Sequence, residues 1–199
     1  VTGVQTCALP IYTIDTYGLG EKAEYRLAIE PANPLDGRIG KLITPEWGET
    51  SVTVQLVGEH SLKAALAAAC VGAKLGLTSQ QVVMGLSKIK PVPGRMQALR
   101  GVEGSTIIDD TYNASPLAVE AALKTLMDIE TPQRVAILGS MNELGNTSAQ
   151  AHEKIGKLCD PAKIEWVVTI GAEAQKYLAP AALAKDCQVK RSEEHTSEL

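Results

Sequence analysis

The sequence predicts an α/β protein in two parts, and three features of the chain support this fold class. Near residue 57 the apolar pattern changes from short β-prone runs to a helical period. The stretch KPVPG at 90–94 contains two prolines and a glycine, which interrupt helix and strand alike. Beyond it, strand-like and helix-like runs alternate, which is typical of an open α/β sheet.

The first part is predicted to hold three strands and then two helices. The runs AEYRLAIE, GRIGKLIT and TSVTVQLV are β-prone, and the turn-rich stretches PANPLDG and PEWGE separate them. HSLKAALAAACVGAKLG then places four apolar residues on one helical face: Leu62, Leu66, Ala69 and Ala73. Thr78 and Gln81 form a capping-box pattern, which predicts the start of a second helix.

The second part is predicted to begin with the strand STIIDD, which ends in two carboxylates. Ser115-Pro116 is an N-cap followed by proline at the first helical position, and Glu120 is placed to pair with Lys124. That helix carries an apolar stripe of Val119, Ala122, Leu123 and Leu126. RVAILG is almost wholly apolar, which predicts a strand buried on both faces of a parallel sheet. A helix over roughly 148–159 and the strand EWVVTIG follow.

Composition excludes several classes of partner. The chain has 19 basic and 23 acidic residues, a net charge of −4, which argues against a nucleic-acid or membrane-surface partner held by charge. No apolar run approaches the roughly 20 residues of a membrane-spanning helix. Apart from Cys7, the cysteines have no paired spacing, so we expect reduced, buried thiols in a cytoplasmic protein.

The two ends of the chain are related to each other through their coding DNA. Residues 191–199 can be encoded by the nine codons AGATCGGAAGAGCACACGTCTGAACTC. When the opposite strand of this DNA is translated in a reading frame shifted by one base, it encodes residues 3–11. The string also resembles a widely used sequencing adapter. We therefore expect 1–12 and 191–199 to be adapter-derived and without native packing, and exclude them from fold reasoning. The alternative is an N-terminal strand or signal segment and a charged C-terminal tail.

Polar residues collect where three predicted strands end, in DDTYNASP, LGSMNELG and TIGAE. Open α/β sheets bind ligands at the carboxyl ends of their strands. Asp110 could accept hydrogen bonds from a ribose, Tyr112 offers a flat ring, and Asn113 both donates and accepts. The helix that starts after Ser115 directs its free amides at the same crevice. The alternative interpretation is a polar turn between a strand and a helix.

Four segments in order carry a family resemblance: PVPGRMQ, IIDDTYNASPLAVEAAL, RVAILGSMNELG and SAQAHEKIG. Together they are similar to the Mur ligase family, and in particular to its MurF type. The run from Gly58 to Ala68 resembles the family's central domain. The resemblance covers about 50–175.

The resemblance implies that 13–92 is the later part of a central ATPase domain and that 93–190 begins a truncated, Rossmann-like C-terminal domain. It implies an ATP-dependent peptide ligase of peptidoglycan precursor synthesis, a cytoplasmic monomer. ATP would phosphorylate the terminal carboxylate of a UDP-MurNAc-peptide, and the amine of D-alanyl-D-alanine would attack the acyl phosphate. Magnesium would offset charge on the transferring group.

Carried over by position, two sets of residues are implied. On the ATP side, Arg95 would reach phosphate and Asp110 the ribose, with further nucleotide contacts from Tyr112, Asn113 and His60. On the acceptor side, the loop Gly139–Gly145 would act with Ser140, Asn142, Glu143 and His152. Alternatives remain open for two of these: Arg95 as a surface cation, and His152 as a helix residue that satisfies a core hydrogen bond.

The chain departs from the family pattern at several positions. Ser61 and Ala64 stand where the family usually has asparagines, one of which contacts adenine, and Ser140 replaces an aspartate. The sequence contains no phosphate loop of the G-x-x-G-K-[ST] type, so catalytic residues and magnesium ligands are expected upstream, and the fragment alone is expected to be inactive. Alternatives are another Mur ligase, a folylpolyglutamate synthase-like ligase, or a non-catalytic nucleotide-binding Mur-like protein.

Overall fold

A computed structural model describes residues 14–30, 35 and 37–192, without the side chain of His60. The first part contains a four-stranded sheet in the order β1-β2-β3-β4, with β1 parallel to β2 and the other pairs antiparallel. Its strands are β1 (Tyr17–Gly18), β2 (Tyr25–Ile29), β3 (Arg38–Thr44) and β4 (Gly48–Val54). Helices α1 (Glu59–Lys74) and α2 (Ser79–Ser87) follow. The three predicted strands and two predicted helices are confirmed.

The first core lies between this sheet and the two helices. All four residues of the predicted face of α1 are buried: Leu62, Leu66, Ala69 and Ala73. They lie on the side of the helix that faces the sheet, and Leu27, Leu42, Val52 and Val54 come from the strands. The capping box is present, with the Thr78 hydroxyl accepting from the Gln81 amide and the Gln81 side chain accepting from the Thr78 amide.

Tyr25 joins the edge of this core to charged groups. Its ring is fully buried, its hydroxyl donates to Glu46 Oε1, and Lys74 Nζ lies 3.2 Å from the same carboxylate. Burial, with the hydrogen bond to Glu46 as a smaller cause, raises the pKa of Tyr25 to about 12. Lys74 also pairs with Asp15 at 2.8 Å, so the end of α1 is tied to the residues before β1.

The second part contains two separate sheets. β5 (Gln97–Arg100) and β6 (Thr106–Asp109) form an antiparallel pair, while β7 (Val135–Gly139), β8 (Trp166–Ile170) and β9 (Gln188–Ser192) form a parallel sheet in that order. The alternation of strands and helices predicted STIIDD as a strand of the parallel sheet. In the described residues, β6 pairs with β5 and not with β7. Alternation indicates parallel strands but does not fix which strands are neighbours.

One face of the parallel sheet carries the second core. It is covered by α3 (Pro116–Asp128), α4 (Ser148–Leu158), and a π-helical segment (Ala174–Leu178) that runs into α5 (Ala179–Leu183). Ala136 is buried there, but Val135 and Ile137, whose side chains lie on the opposite face, are 41% and 65% exposed. The prediction that RVAILG is buried on both faces is wrong, because no described helix covers the second face.

Two side-chain contacts predicted for α3 have different outcomes. Ser115 caps α3, as predicted, by accepting from the Ala118 amide at 3.3 Å. The predicted pair of Glu120 with Lys124 does not form: Glu120 pairs with Lys154 at 2.7 Å and Lys124 with Glu59 at 3.4 Å. Glu120 and Lys124 therefore pair with residues of other helices. The spacing of residues along one helix predicts only the pairs within that helix.

The predicted adapter boundary at 190 falls inside β9. Arg191 and Ser192 are exposed, yet their backbone pairs with β8, and Gln175 Nε2 donates to the Ser192 carbonyl at 2.6 Å. The predictions for Cys7, Leu9 and Ile11 lie outside the described residues, as do 31–34 and residue 36 of the predicted turn.

The cysteines of the described part are free thiols. Cys159 and Cys187 are buried, and Cys70 is partly buried. Burial raises the pKa of Cys159 to about 12. Within the described ranges, no helix is long and apolar enough to span a bilayer.

Candidate functional site

The linker between the two cores ends in a turn of unusual backbone conformation. Gly94 has φ +71° and Met96 has φ +48°, both in the left-handed region. The Gly94 carbonyl accepts from the Tyr112 amide at 3.1 Å, and a Cβ at Gly94 would lie 3.1 Å from that same nitrogen. Glycine therefore permits both the conformation and the close approach of the linker to the loop after β6.

Two neighbouring carboxylates after β6 have different partners. Asp109 Oδ1 accepts from the amide and hydroxyl of Thr111 at 3.2 and 2.7 Å, which is a local turn contact. Asp110 Oδ1 accepts from the Met96 amide at 3.1 Å, and Met96 is only 2% exposed. Asp110 thus holds Met96, a linker residue with positive φ, at the end of β6. The hydrogen bonds described for this carboxylate use Oδ1, which leaves Oδ2 available to a ligand.

Arg95 lies between these two anchored residues and stacks on Tyr112. Its guanidinium carbon is 4.3 Å from the centre of the ring, within the range of a cation–π contact. Tyr112 is 72% exposed, and Asn113 is also exposed. We call Arg95, Met96, Asp110 and Tyr112 the hinge group. Within it, the guanidinium lies beside the ring of Tyr112, and the carboxylate of Asp110 holds the amide of the residue after Arg95.

A second group of hydrogen bonds is centred on His152, which is fully buried. Its Nε2 accepts from the Met141 amide at 2.9 Å, and its Nδ1 lies 2.8 Å from the Ser148 carbonyl. Because a carbonyl only accepts, Nδ1 carries the proton and the ring is neutral. This arrangement is the core hydrogen bond named as the alternative for His152. The ring is buried, and its Nε2 holds the amide of Met141 in the loop after β7.

The same network reaches the segment after β8. The Ser140 hydroxyl accepts from the Ala174 amide at 3.2 Å, and the Ser148 hydroxyl donates to Glu173 Oε2 at 2.7 Å. We call Ser140, Met141, Ser148, His152 and Glu173 the loop network. It joins two of the three strand ends that the sequence singles out. The sequence marks TIGAE as a polar strand end, but nothing in its spacing connects Glu173 to Ser148.

The other predicted site residues lie around these two groups. Asn142 and Glu143 are exposed in the loop after β7, where Glu143 has φ +62°. The side chain of His60 is outside the described part, so its predicted contact with ATP stays a prediction. Of the predicted side chains, Asp110 makes a described hydrogen bond on the ATP side, and Ser140 and His152 make them on the acceptor side. Across the described residues, no three His, Cys, Asp or Glu side chains are grouped to hold a metal ion.

The sequence profile described as "Mur ligase, glutamate ligase domain" matches residues 94–198, more than half of the chain. The chain belongs to the Mur ligase family. The predicted family and α/β fold class are thereby confirmed. The match runs past the predicted adapter boundary at 190, and that boundary stays a prediction.

Curated relatives and solved structures give the same family. UDP-N-acetylmuramoyl-tripeptide–D-alanyl-D-alanine ligase of Bacillus subtilis is 30% identical over 169 residues, 84% of this chain and 36% of the relative. The Escherichia coli ligase of the same name is 33% identical over 127 residues, 64% of this chain and 28% of the relative. The chain therefore spans about a third of the length of these relatives.

Among solved structures, MurF of Acinetobacter baumannii matches with a TM-score of 0.74 and 28% identity, covering 88% of this chain and 36% of that one. A MurF ligase of Thermotoga maritima in complex with ADP matches with a TM-score of 0.68 and 25% identity, covering 89% and 44%. Folylpolyglutamate synthase of Thermotoga maritima, at 16% identity and a TM-score of 0.59, shares the fold.

Proposed function

We propose that this chain is part of an ATP-dependent ligase that joins D-alanyl-D-alanine to a UDP-MurNAc-peptide in peptidoglycan precursor synthesis. The relatives from Bacillus subtilis and Escherichia coli carry the name of that ligase. In this proposal 13–92 is the end of the central ATPase domain and 93–190 the beginning of the C-terminal domain. The whole protein would be a cytoplasmic monomer without a nucleic-acid or membrane partner.

The hinge group is the observation that carries the nucleotide part of the proposal. Where the linker meets the end of β6, the Arg95 guanidinium stacks on the exposed ring of Tyr112, and Asp110, with one available oxygen, holds the amide of Met96. A solved relative of similar fold, the Thermotoga maritima ligase, is in complex with ADP. Arg95 would contact phosphate oxygens, while Asp110 Oδ2 would accept from a ribose hydroxyl. Tyr112 and Asn113 would lie beside the nucleoside.

Each hinge residue has a distinct chemical task. ATP, when bound, supplies the phosphoryl group that turns a carboxylate into a reactive acyl phosphate. The planar guanidinium of Arg95 can donate two parallel hydrogen bonds to phosphate, which a lysine cannot reproduce. Asp110 holds the Met96 amide with one oxygen, which limits its rotation and presents the other oxygen in a fixed direction. Magnesium would be held by residues upstream of this chain.

The acceptor side would be shaped by the loop network. His152 and Ser140 fix the backbone of the loops after β7 and β8 from beneath. Asn142 and Glu143 would then face the incoming dipeptide from an exposed, positioned loop. His152 acts here as a positioning residue, because its ring is buried and both its nitrogens have partners.

The test is the full-length protein recovered from the same source DNA, assayed for phosphate release. Release that requires ATP, UDP-MurNAc-tripeptide and D-alanyl-D-alanine together is expected. Arg95→Lys and Asp110→Asn, whose amide oxygen can still accept from the Met96 amide, should lower the rate or the ATP affinity about ten- to a hundredfold, the effect of losing a charge-assisted hydrogen bond, without lowering the melting temperature. Nucleotide binding without phosphate release would instead indicate the non-catalytic alternative.

A further inference from the structure

Glu173 is a carboxylate whose position is fixed by a side chain from another element. It follows β8 at the carboxyl edge of the parallel sheet and is half-buried. Its Oε2 accepts from the Ser148 hydroxyl at 2.7 Å, and Ser148 lies at the start of α4 beside the buried His152. The hydrogen bonds described for Glu173 use Oε2, so Oε1 is available to a ligand.

The surroundings of Glu173 are shared with the predicted acceptor loop. Ser140 of that loop accepts from the amide of Ala174, the residue next to Glu173. The two strand-end segments are therefore joined at adjacent positions. Glu143, the other carboxylate of these segments, is exposed in a left-handed conformation and has no described hydrogen bond. Of the two carboxylates, only Glu173 is oriented by the fold.

We infer that Glu173 binds the ammonium group of the incoming dipeptide, an inference that rests on the proposed ligase function. The acceptor position in this chain, Ser140, is a hydroxyl engaged with a backbone amide and carries no charge. An ammonium group forms its strongest hydrogen bonds with an anionic partner. Glu173 supplies that charge, and Ser148 limits the rotamers in which it can do so.

The experiment measures Michaelis constants of the full-length enzyme and its Glu173→Gln variant. Glutamine keeps the shape and can still accept from Ser148, but it removes the charge. The KM for D-alanyl-D-alanine should rise about ten- to a hundredfold, the range for a lost hydrogen bond to a charged group, while the KM for ATP stays unchanged. The matched control is Glu153→Gln, an exposed α4 carboxylate that pairs with Lys157 at 3.6 Å.

A second measurement separates charge from shape. D-lactyl-D-alanine has a hydroxyl in place of the amine, so its inhibition constant should be the same in both enzymes. Three results would overturn the role of Glu173. Glu173→Gln could weaken binding of this analogue as much as binding of the dipeptide, or it could leave the KM for the dipeptide unchanged. It could also lower the melting temperature enough to account for the weaker dipeptide binding. If the unsubstituted enzyme joins no dipeptide at all, the proposed function itself fails and this inference fails with it.

Discussion

Three helix glycines provide a test of how tightly each part of the molecule is packed. Gly85 lies in α2, Gly72 in α1 and Gly156 in α4. A Cβ added at Gly85 meets nothing within 4 Å. At Gly72 it would lie 2.9 Å from a methyl carbon of Val82, and at Gly156 it would lie 2.5 Å from the carbonyl oxygen of Leu178.

Two opposing terms set the expected free energies of unfolding. Replacing glycine by alanine inside a helix stabilises it by about 1 kcal/mol, and this gain applies at all three positions. At Gly156 the obstacle is backbone, with Ala181 Cβ a further 2.7 Å contact, so α4 must move away from α5. Such overpacking costs about 1–3 kcal/mol. With contacts this short we take the upper end, which gives a net loss of about 2 kcal/mol.

Gly85→Ala should therefore gain about 1 kcal/mol, because only the helix term applies. The change in the free energy of unfolding for Gly72→Ala should lie between those for Gly85→Ala and Gly156→Ala, since the Val82 side chain can shift. The chain has two tryptophans, Trp47 packed against the first core and Trp166 in β8. Urea unfolding followed by fluorescence, in Trp47→Phe and Trp166→Phe backgrounds, therefore reads each part separately. A Gly156→Ala protein as stable as its parent would refute the packing argument.

Three further outcomes are expected. His152→Leu removes the acceptor of the buried Met141 amide, which should lower the free energy of unfolding by about 1–3 kcal/mol and speed hydrogen exchange at that amide. His152→Gln keeps an acceptor and should have a smaller effect on both. Equal exchange rates at the Met141 amide in the two variants would contradict the role of His152. Gly94→Ala should separate the linker from Tyr112, so the NMR signals of the Arg95 side-chain protons should lose their ring-current shift. The control is Gly48→Ala, because Gly48 also has positive φ but has open space around it. That substitution should leave the shift unchanged. Because the pKa of Tyr25 is raised to about 12 in the folded state, its contribution to stability is full below its ordinary pKa of 10.0 and is lost as the pH rises toward 12. Unfolding measured across that range should show a decline that Tyr25→Phe reduces, and an identical decline in that variant would contradict the assignment.

Local patterns predicted the elements whose structure depends on neighbours in sequence. The buried face of α1, the capping box at Thr78 and the Ser115 cap are all decided within one helix. The pairing of β6 with β5 and the open face beside Ile137 depend on which strands and helices are neighbours in space, and apolar content alone does not determine that.

The candidate site likewise has a part that could be predicted and a part that depends on contacts in space. Arg95, Asp110 and Tyr112 were predicted together from a family resemblance; in the structure Arg95 stacks on Tyr112, and Asp110 accepts from the amide of Met96, the residue after Arg95. The hydrogen bond from Met96 to Asp110 could not be predicted, because it requires left-handed backbone at a non-glycine residue. The buried state of His152 was one of two open readings, and only the positions of Met141 and Ser148 decide between them.

The bond between Asp110 and the Met96 amide determines where the molecule can pivot. The last residues of the linker are fastened to the second part at both Gly94 and Met96. If one part rotated against the other, the linker would bend before Gly94, in the stretch that holds Pro91 and Pro93. Arg95 would travel with Tyr112 as a single body through the whole swing. The guanidinium would keep throughout the orientation that the ring of Tyr112 gives it.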